Sequence, residues 1–307
     1  MFRAGLIRGV VMSDNKLKIA LILALTAALI GPVAVQARDL PEVITSGVLR
    51  HIGIPYANFV TGSGDGLDVE IMQGFAADLG VRYEFVESDW HTMFGDLTGH
   101  NARLGDQGTE LTSEAPIRGD VIANGVTILP WRKDIVTFSD PTFPSGVWLL
   151  ARAESAVQPI VPSDSETHDI ALVKASMSGL TVLAQKNTCL DPALYRLSDT
   201  QAEVRLAEPR MRPDEFAPAI LGNMAETTLL DVPNALIALE RWAGRIKVIG
   251  PVSGDQSMAA AFRKNSPRLR EAFNRYLSEI RQDGSYPQMV KKYFPSVFLY
   301  YAGFFEP

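Results

Sequence analysis

From residue 48 onward the apolar positions of this chain switch repeatedly between two periods. The run VLRHIG at 48–53 is compact and apolar, as a short strand is. Over 68–79 the apolar residues Val69, Met72, Ala76 and Leu79 recur on one helical face, and Gly80 is placed to end the helix. Residues 81–87 then alternate strictly, with Val81, Tyr83 and Phe85 on one side and Arg82 and Glu84 on the other, which predicts a strand. Further strands are expected at 121–123, 147–152, 179–185, 203–206, 246–250 and 258–263, and in an apolar run that ends on Asp231. Helices are expected at 170–175, 188–197, 213–221, 232–242 and 287–293. The clearest helix starts at Ser266-Pro267. It carries Leu269, Ala272, Phe273, Tyr276, Leu277 and Ile280 on one face and stops before Gly284.

Strands alternating with helices predict an α/β protein. Two stretches break the alternation. Residues 97–117 are polar, contain glycine and show no period, so a surface loop inserted between elements is expected there. Residues 156–169 are rich in Pro, Ser and acidic residues, and the crossover to a second lobe is expected in them. The reading is a two-lobed fold, with lobe 1 built from 38–150 and 251–307, lobe 2 from 151–250, and a two-segment hinge between them.

The first 37 residues belong to neither lobe. Arg3, Arg8, Lys16 and Lys18 precede a short apolar run at 19–30, and Val35-Gln36-Ala37 offers small residues for cleavage, the layout of a secretory signal cut after Ala37. Met12 is a second candidate start. Removing four basic residues and Asp14 takes the net charge from −6 to −9, a poor match for nucleic acid. The only cysteine is Cys189, so no disulfide can form within the chain. Four scattered histidines lack metal-ligand spacing, and no phosphate loop or nucleophile elbow is found; neither metal nor cofactor is expected.

Candidate chemistry lies where strands end. Arg132 follows Pro130-Trp131 past a strand, where its planar fork could grip a carboxylate; the alternative is a surface pair with Asp134 or Asp140. Tyr56, in the loop after the first strand, could cover a ligand or simply pack. Thr188 could N-cap a helix whose free N–H groups would take an anion. Asp231 could hold a cation or cap the helix that follows it. Cys189 reads as a packing residue, and Trp90 likewise.

The stretch 119–143 resembles the signature of the periplasmic solute-binding proteins of family 3, the polar-amino-acid-binding type. Asp120, Gly125, Thr127, Ile128, Pro130, Arg132, Phe138, Ser139 and Pro141 stand at matching places, and the resemblance extends over most of the chain after residue 46. It implies a two-lobed binding fold that closes on a zwitterion. Arg132 and the N–H groups at Thr188 would hold the carboxylate and Asp231 the ammonium. Gly125 and Thr127 would add hydrogen bonds, with Asn124 beside them, and Tyr56 would cap the apolar part. It also implies delivery of the ligand by a monomer to the membrane permease of an ABC transporter. Asn124, Leu129 and Asn187 depart from the family pattern, which leaves open a carboxylate ligand without an amine. The same scaffold resembles exported cyclohexadienyl dehydratases, for which Glu226 or Asp231 would be the acid; a sensory or partner-feeding module is a third alternative.

Overall fold

The computed structural model describes residues 38–306; the expected signal segment and its cleavage point lie outside them. Helix α1 (Leu40–Ser46) ends at Gly47, and β1 (Val48–Gly53), α2 (Leu67–Asp78) and β2 (Arg82–Glu87) form a parallel β-α-β unit. Next come α3 (Met93–Thr98), β3 (His100–Gly105), β4 (Gly108–Glu114), β5 (Val121–Ile122), the four-residue α4 (Pro130–Lys133), β6 (Val136–Phe138) and β7 (Phe143–Ser145). A second series follows: β8 (Val147–Arg152), α5 (Glu166–Ser176), β9 (Thr181–Ala184), β10 (Glu203–Leu206), α6 (Phe216–Leu221), β11 (Thr227–Asp231), α7 (Val232–Arg241) and β12 (Ile246–Pro251). The chain returns through β13 (Gln256–Met258) and β14 (Ala261–Arg263), and α8 (Pro267–Gln282) and α9 (Ser285–Tyr293) follow.

Two five-stranded sheets organise these elements. The first has the order β2-β1-β5-β14-β6, with β14 antiparallel to both neighbours; the second has the order β10-β9-β11-β8-β12, with β8 antiparallel to both of its own. Strand β8, expected to be the last strand of the first lobe, therefore lies inside the second sheet. Its alternating small and branched side chains, Val147, Leu149 and Ala151, are fully buried between β11 and β12. The chain crosses near 143–146 rather than at 156–169. It comes back through 252–258, and the crossing strands β7 and β13 pair antiparallel with each other.

Apolar packing explains why the first sheet holds its helices. Phe75 of α2 meets Phe273 of α8 edge-on at 5.3 Å between ring centres, and Phe262 of β14 lies 5.7 Å from the same ring. Burying such aromatic pairs adds to the area term that drives folding. The N-terminus of α8 is served by Asp39, whose carboxylate accepts the N–H of Leu269 at 2.8 Å. Ser266, expected to cap it, instead donates its hydroxyl to the carbonyl of Arg38.

Two local expectations are corrected. Residues 97–117 are not a loop: β3 and β4 pair as an antiparallel hairpin closed between Gly105 and Gly108. No α-helix starts at Thr188. A 3₁₀ turn, Pro192–Tyr195, forms instead, and its cap is Asp191, which accepts the N–H of Ala193 at 3.0 Å.

Candidate functional site

The site forms where the carboxyl ends of β1, β5, β9 and β11 come together between the two sheets, the place at which open α/β sheets present their loops. Arg132 is its central charge. Pro130 fixes φ for the first turn of α4, and the helix then turns Arg132 inward, where it is 1% exposed. One guanidinium nitrogen, Nη1, donates to the carbonyl of Thr127 at 2.9 Å, while Nε has no partner among the described residues. The rings of Trp131 and Phe94 lie 5.3 and 6.0 Å from the guanidinium carbon. Neither Asp134 nor Asp140 reaches it: Asp134 accepts from the Thr109 hydroxyl, and Asp140 is exposed. The surface-pair reading is thereby excluded. Burial lowers the guanidinium's pKa from its ordinary value, and among the described residues no carboxylate offsets that burial.

Across the space from Arg132, Thr188 sits in a tight turn. Its hydroxyl donates to the carbonyl of Gln185 and accepts the N–H of Leu190, both at 3.0 Å. The N–H of Asn187 is taken by Asp191, while those of Thr188 and Cys189 have no partner among the described residues. Donors are therefore present at Thr188 without a helix behind them.

Gly125 lies on the same wall at φ 68°, and a Cβ there would fall 2.5 Å from the ring of Phe59. Its N–H donates to the buried carboxylate of Asp68 at 2.7 Å. Burial pushes Asp68 up to about 7, with the Gly125 N–H pulling the other way. Thr127 is buried beside it. Asn124 is placed differently: it is fully buried, both of its amide atoms lack partners, and it does not line the cavity.

Asp231 ends β11 at the N-cap position of α7, yet its carboxylate makes no cap bond. One oxygen accepts the Asn234 side-chain amide at 2.7 Å and the other accepts the hydroxyl of Tyr56, which reaches over from the first sheet's loop. Burial raises the pKa of Asp231, and these two hydrogen bonds oppose the rise. The Tyr56 ring stacks on Phe59 and meets Trp90 edge-on at 5.1 Å. Glu226, the other acid considered, sits at the opposite end of β11, where it accepts the N–H of Thr181.

The structure thus brings Tyr56, Gly125, Thr127, Arg132 and Thr188 around one narrow, partly open space of about 10 Å³, roughly the room of one water. Asp231 stands just behind the Tyr56 hydroxyl. Trp90, Gln185, Cys189, Leu190 and Pro213 complete the wall. Of these, Gln185 was within reach of sequence reasoning because it follows the last residue of β9; Leu190 and Pro213 carried no such signal. The Cys189 thiol lies against Thr127 and Tyr56, and burial pushes it up to about 12, so it is no nucleophile at neutral pH.

Residues 116–296, more than half of the chain, match the model of the bacterial extracellular solute-binding proteins, family 3. The chain belongs to that family. It is 24% identical over 290 residues to the lysine/arginine/ornithine-binding periplasmic protein of Escherichia coli, covering 92% of this chain and 97% of that one. It is 25% identical over 233 residues to the membrane-bound lytic murein transglycosylase F of Desulfosudis oleivorans, a match spanning 76% of this chain but only 44% of the transglycosylase. Among solved structures, an ancestral amino-acid-binding protein described as a precursor of cyclohexadienyl dehydratase superposes with a TM-score of 0.63 at 24% identity, covering 83% and 98% of the two chains. An arginine-binding protein of T. maritima gives 0.62 at 23%, covering 83% and 99%. The two sheets are therefore the lobes of a two-lobed periplasmic amino-acid-binding fold.

Proposed function

We propose that this family 3 protein is exported and works as a monomer that captures a free α-amino acid between its lobes for delivery to an ABC-type permease. The observation that carries the reading is the buried, unpaired guanidinium of Arg132. A cation taken out of water without a partner is destabilising, and a ligand carboxylate making two charge-assisted bonds removes that penalty. Asp231 is the complementary acid: it accepts only neutral donors and comes from the other lobe. A zwitterion would satisfy both charges at once. Because each lobe supplies one charge, a ligand touching both favours the closed arrangement by its differential affinity, and the paired crossing strands β7 and β13 are the natural hinge.

The test is a thermal-shift screen of the common amino acids and small carboxylates, repeated with Arg132→Ala. A ligand binding only the native state adds about 2.7 kcal/mol of stability at a hundredfold excess over Kd. An amino acid should raise the melting temperature of the native chain and leave that of Arg132→Ala unchanged. If the shift persists in the variant, the carboxylate is held elsewhere and the reading fails.

A further inference from the structure

We infer that the amino acid captured in this cleft has an uncharged side chain. This rests on the capture reading above and narrows it to a ligand class. The argument begins with charge. Among the described residues Arg132 is the only charged one on the wall of this space, and Asp231 is the acid directly behind Tyr56. The backbone ends of a zwitterion use up both, so nothing remains to pair with a charge on its side chain.

The surrounding acids are engaged elsewhere. Asp89 takes N–H groups from His91 and Thr92, and Asp191 takes those of Asn187 and Ala193. Asp214 is bound by two nitrogens of Arg212, and Glu226 lies at the far end of β11. The wall left for a side chain is Trp90, Gln185, Cys189, Leu190 and Pro213, none of them charged. A guanidinium or ammonium pressed against such a wall loses its hydration and gains no carboxylate partner. A second carboxylate has no cation to meet except Arg132, which the backbone carboxylate would already hold.

Similarity to a lysine/arginine/ornithine-binding protein is therefore compatible with a different side-chain preference.

The experiment is calorimetric titration of the full protein with glycine, alanine and serine, with leucine and phenylalanine, and with arginine, lysine and glutamate. It is repeated with Arg132→Met, which removes the charge from the cleft wall. A neutral amino acid should bind the native protein and lose that binding in the variant, while the charged ones bind the native protein at least about 100-fold more weakly, the factor that an unpaired buried charge implies. If arginine, lysine or glutamate binds the native protein as tightly and loses that binding in the variant, the neutral class is overturned while amino-acid capture stands. Binding of a neutral amino acid that survives Arg132→Met puts the ligand outside this cleft and overturns the inference. If no amino acid binds, the inference and the capture reading fall together.

Discussion

Arg132 makes the same side chain a liability for the fold and an asset for binding. Removing an unpaired buried cation relieves a penalty. Arg132→Met, which keeps the length and the contacts with Phe94 and Trp131, should therefore leave the ligand-free melting temperature unchanged or higher while weakening ligand binding at least about 100-fold, the worth of a bidentate charged pair. A large drop in ligand-free stability would mean that the guanidinium serves the fold instead. Asp68 makes a pH-dependent claim at the same scale. Its pKa is about 7 in the folded chain and near 3.9 when unfolded, so between those values the folded state holds a proton that the unfolded state has lost. Asp68 thus favours folding at low pH, and that contribution fades as pH rises toward 7. Asp68→Asn keeps an acceptor for the Gly125 N–H and should gain on the native chain as pH rises from about 4 to 7 in paired melts, by up to about 4 kcal/mol for so large a shift. A pH-independent gap between the two chains would sink the assignment. Arg132 and Asp231 were candidates because each stands at a strand's end, and the resemblance to family 3 gave each an expected role; the structure finds both buried. Asn124 could not be placed, since nothing in its neighbours says which way a buried amide turns.

At the scale of elements, the hairpin β3–β4 explains what periodicity could and could not show. An isolated two-stranded ribbon buries almost no face, and residues 110–114 are exposed one after another, so the alternation that marks a half-buried strand never forms. Strands with a buried face, such as β11 and β8, were readable for the opposite reason. The expected helix at Thr188 was lost to Asp191-Pro192, a stronger start signal three residues on, where the carboxylate caps a 3₁₀ turn. The hairpin also has a role that its sequence hides. Thr109 of β4 donates its hydroxyl to the carbonyl of Trp131 and lies at 2.7 Å from Asp134 as well, which ties the hairpin to the short helix bearing Arg132. A four-residue helix has little stability of its own, so its position depends on such ties. Thr109→Val should lower stability by about 1 kcal/mol, the net worth of a hydrogen bond, and weaken ligand binding by more than it changes the melting temperature would suggest. A control at an exposed hairpin site, Glu110→Gln, loses only the surface pair with Arg103 and should leave binding intact. Equal losses of binding in both variants would argue against a positioning role.

For the whole molecule, the bond from Tyr56 to Asp231 is a direct polar link through the cleft from one lobe's loop to the other lobe's strand. It sits where closure would be read out: Tyr56 is 5% exposed, packed on Phe59 and Trp90, and Asp231 is fully buried. Breaking it leaves one oxygen of the fully buried Asp231 carboxylate without its donor. Tyr56→Phe preserves the ring contacts and deletes the hydroxyl alone. The closed arrangement should lose about 1–3 kcal/mol, the penalty for an unsatisfied buried polar group, while the open arrangement, where water hydrates Asp231, loses nothing. The population therefore shifts toward opening. Small-angle scattering should then report a larger radius of gyration for ligand-free Tyr56→Phe than for the native chain. Saturating amino acid should bring the two together, because its ammonium supplies Asp231 with the donor that the variant lacks. The native chain needs no such rescue, so ligand should compact it less. Identical scattering from the two ligand-free proteins would show that other contacts between the lobes, such as Gln256 with the Tyr195 hydroxyl at 3.3 Å, hold the cleft shut without Tyr56.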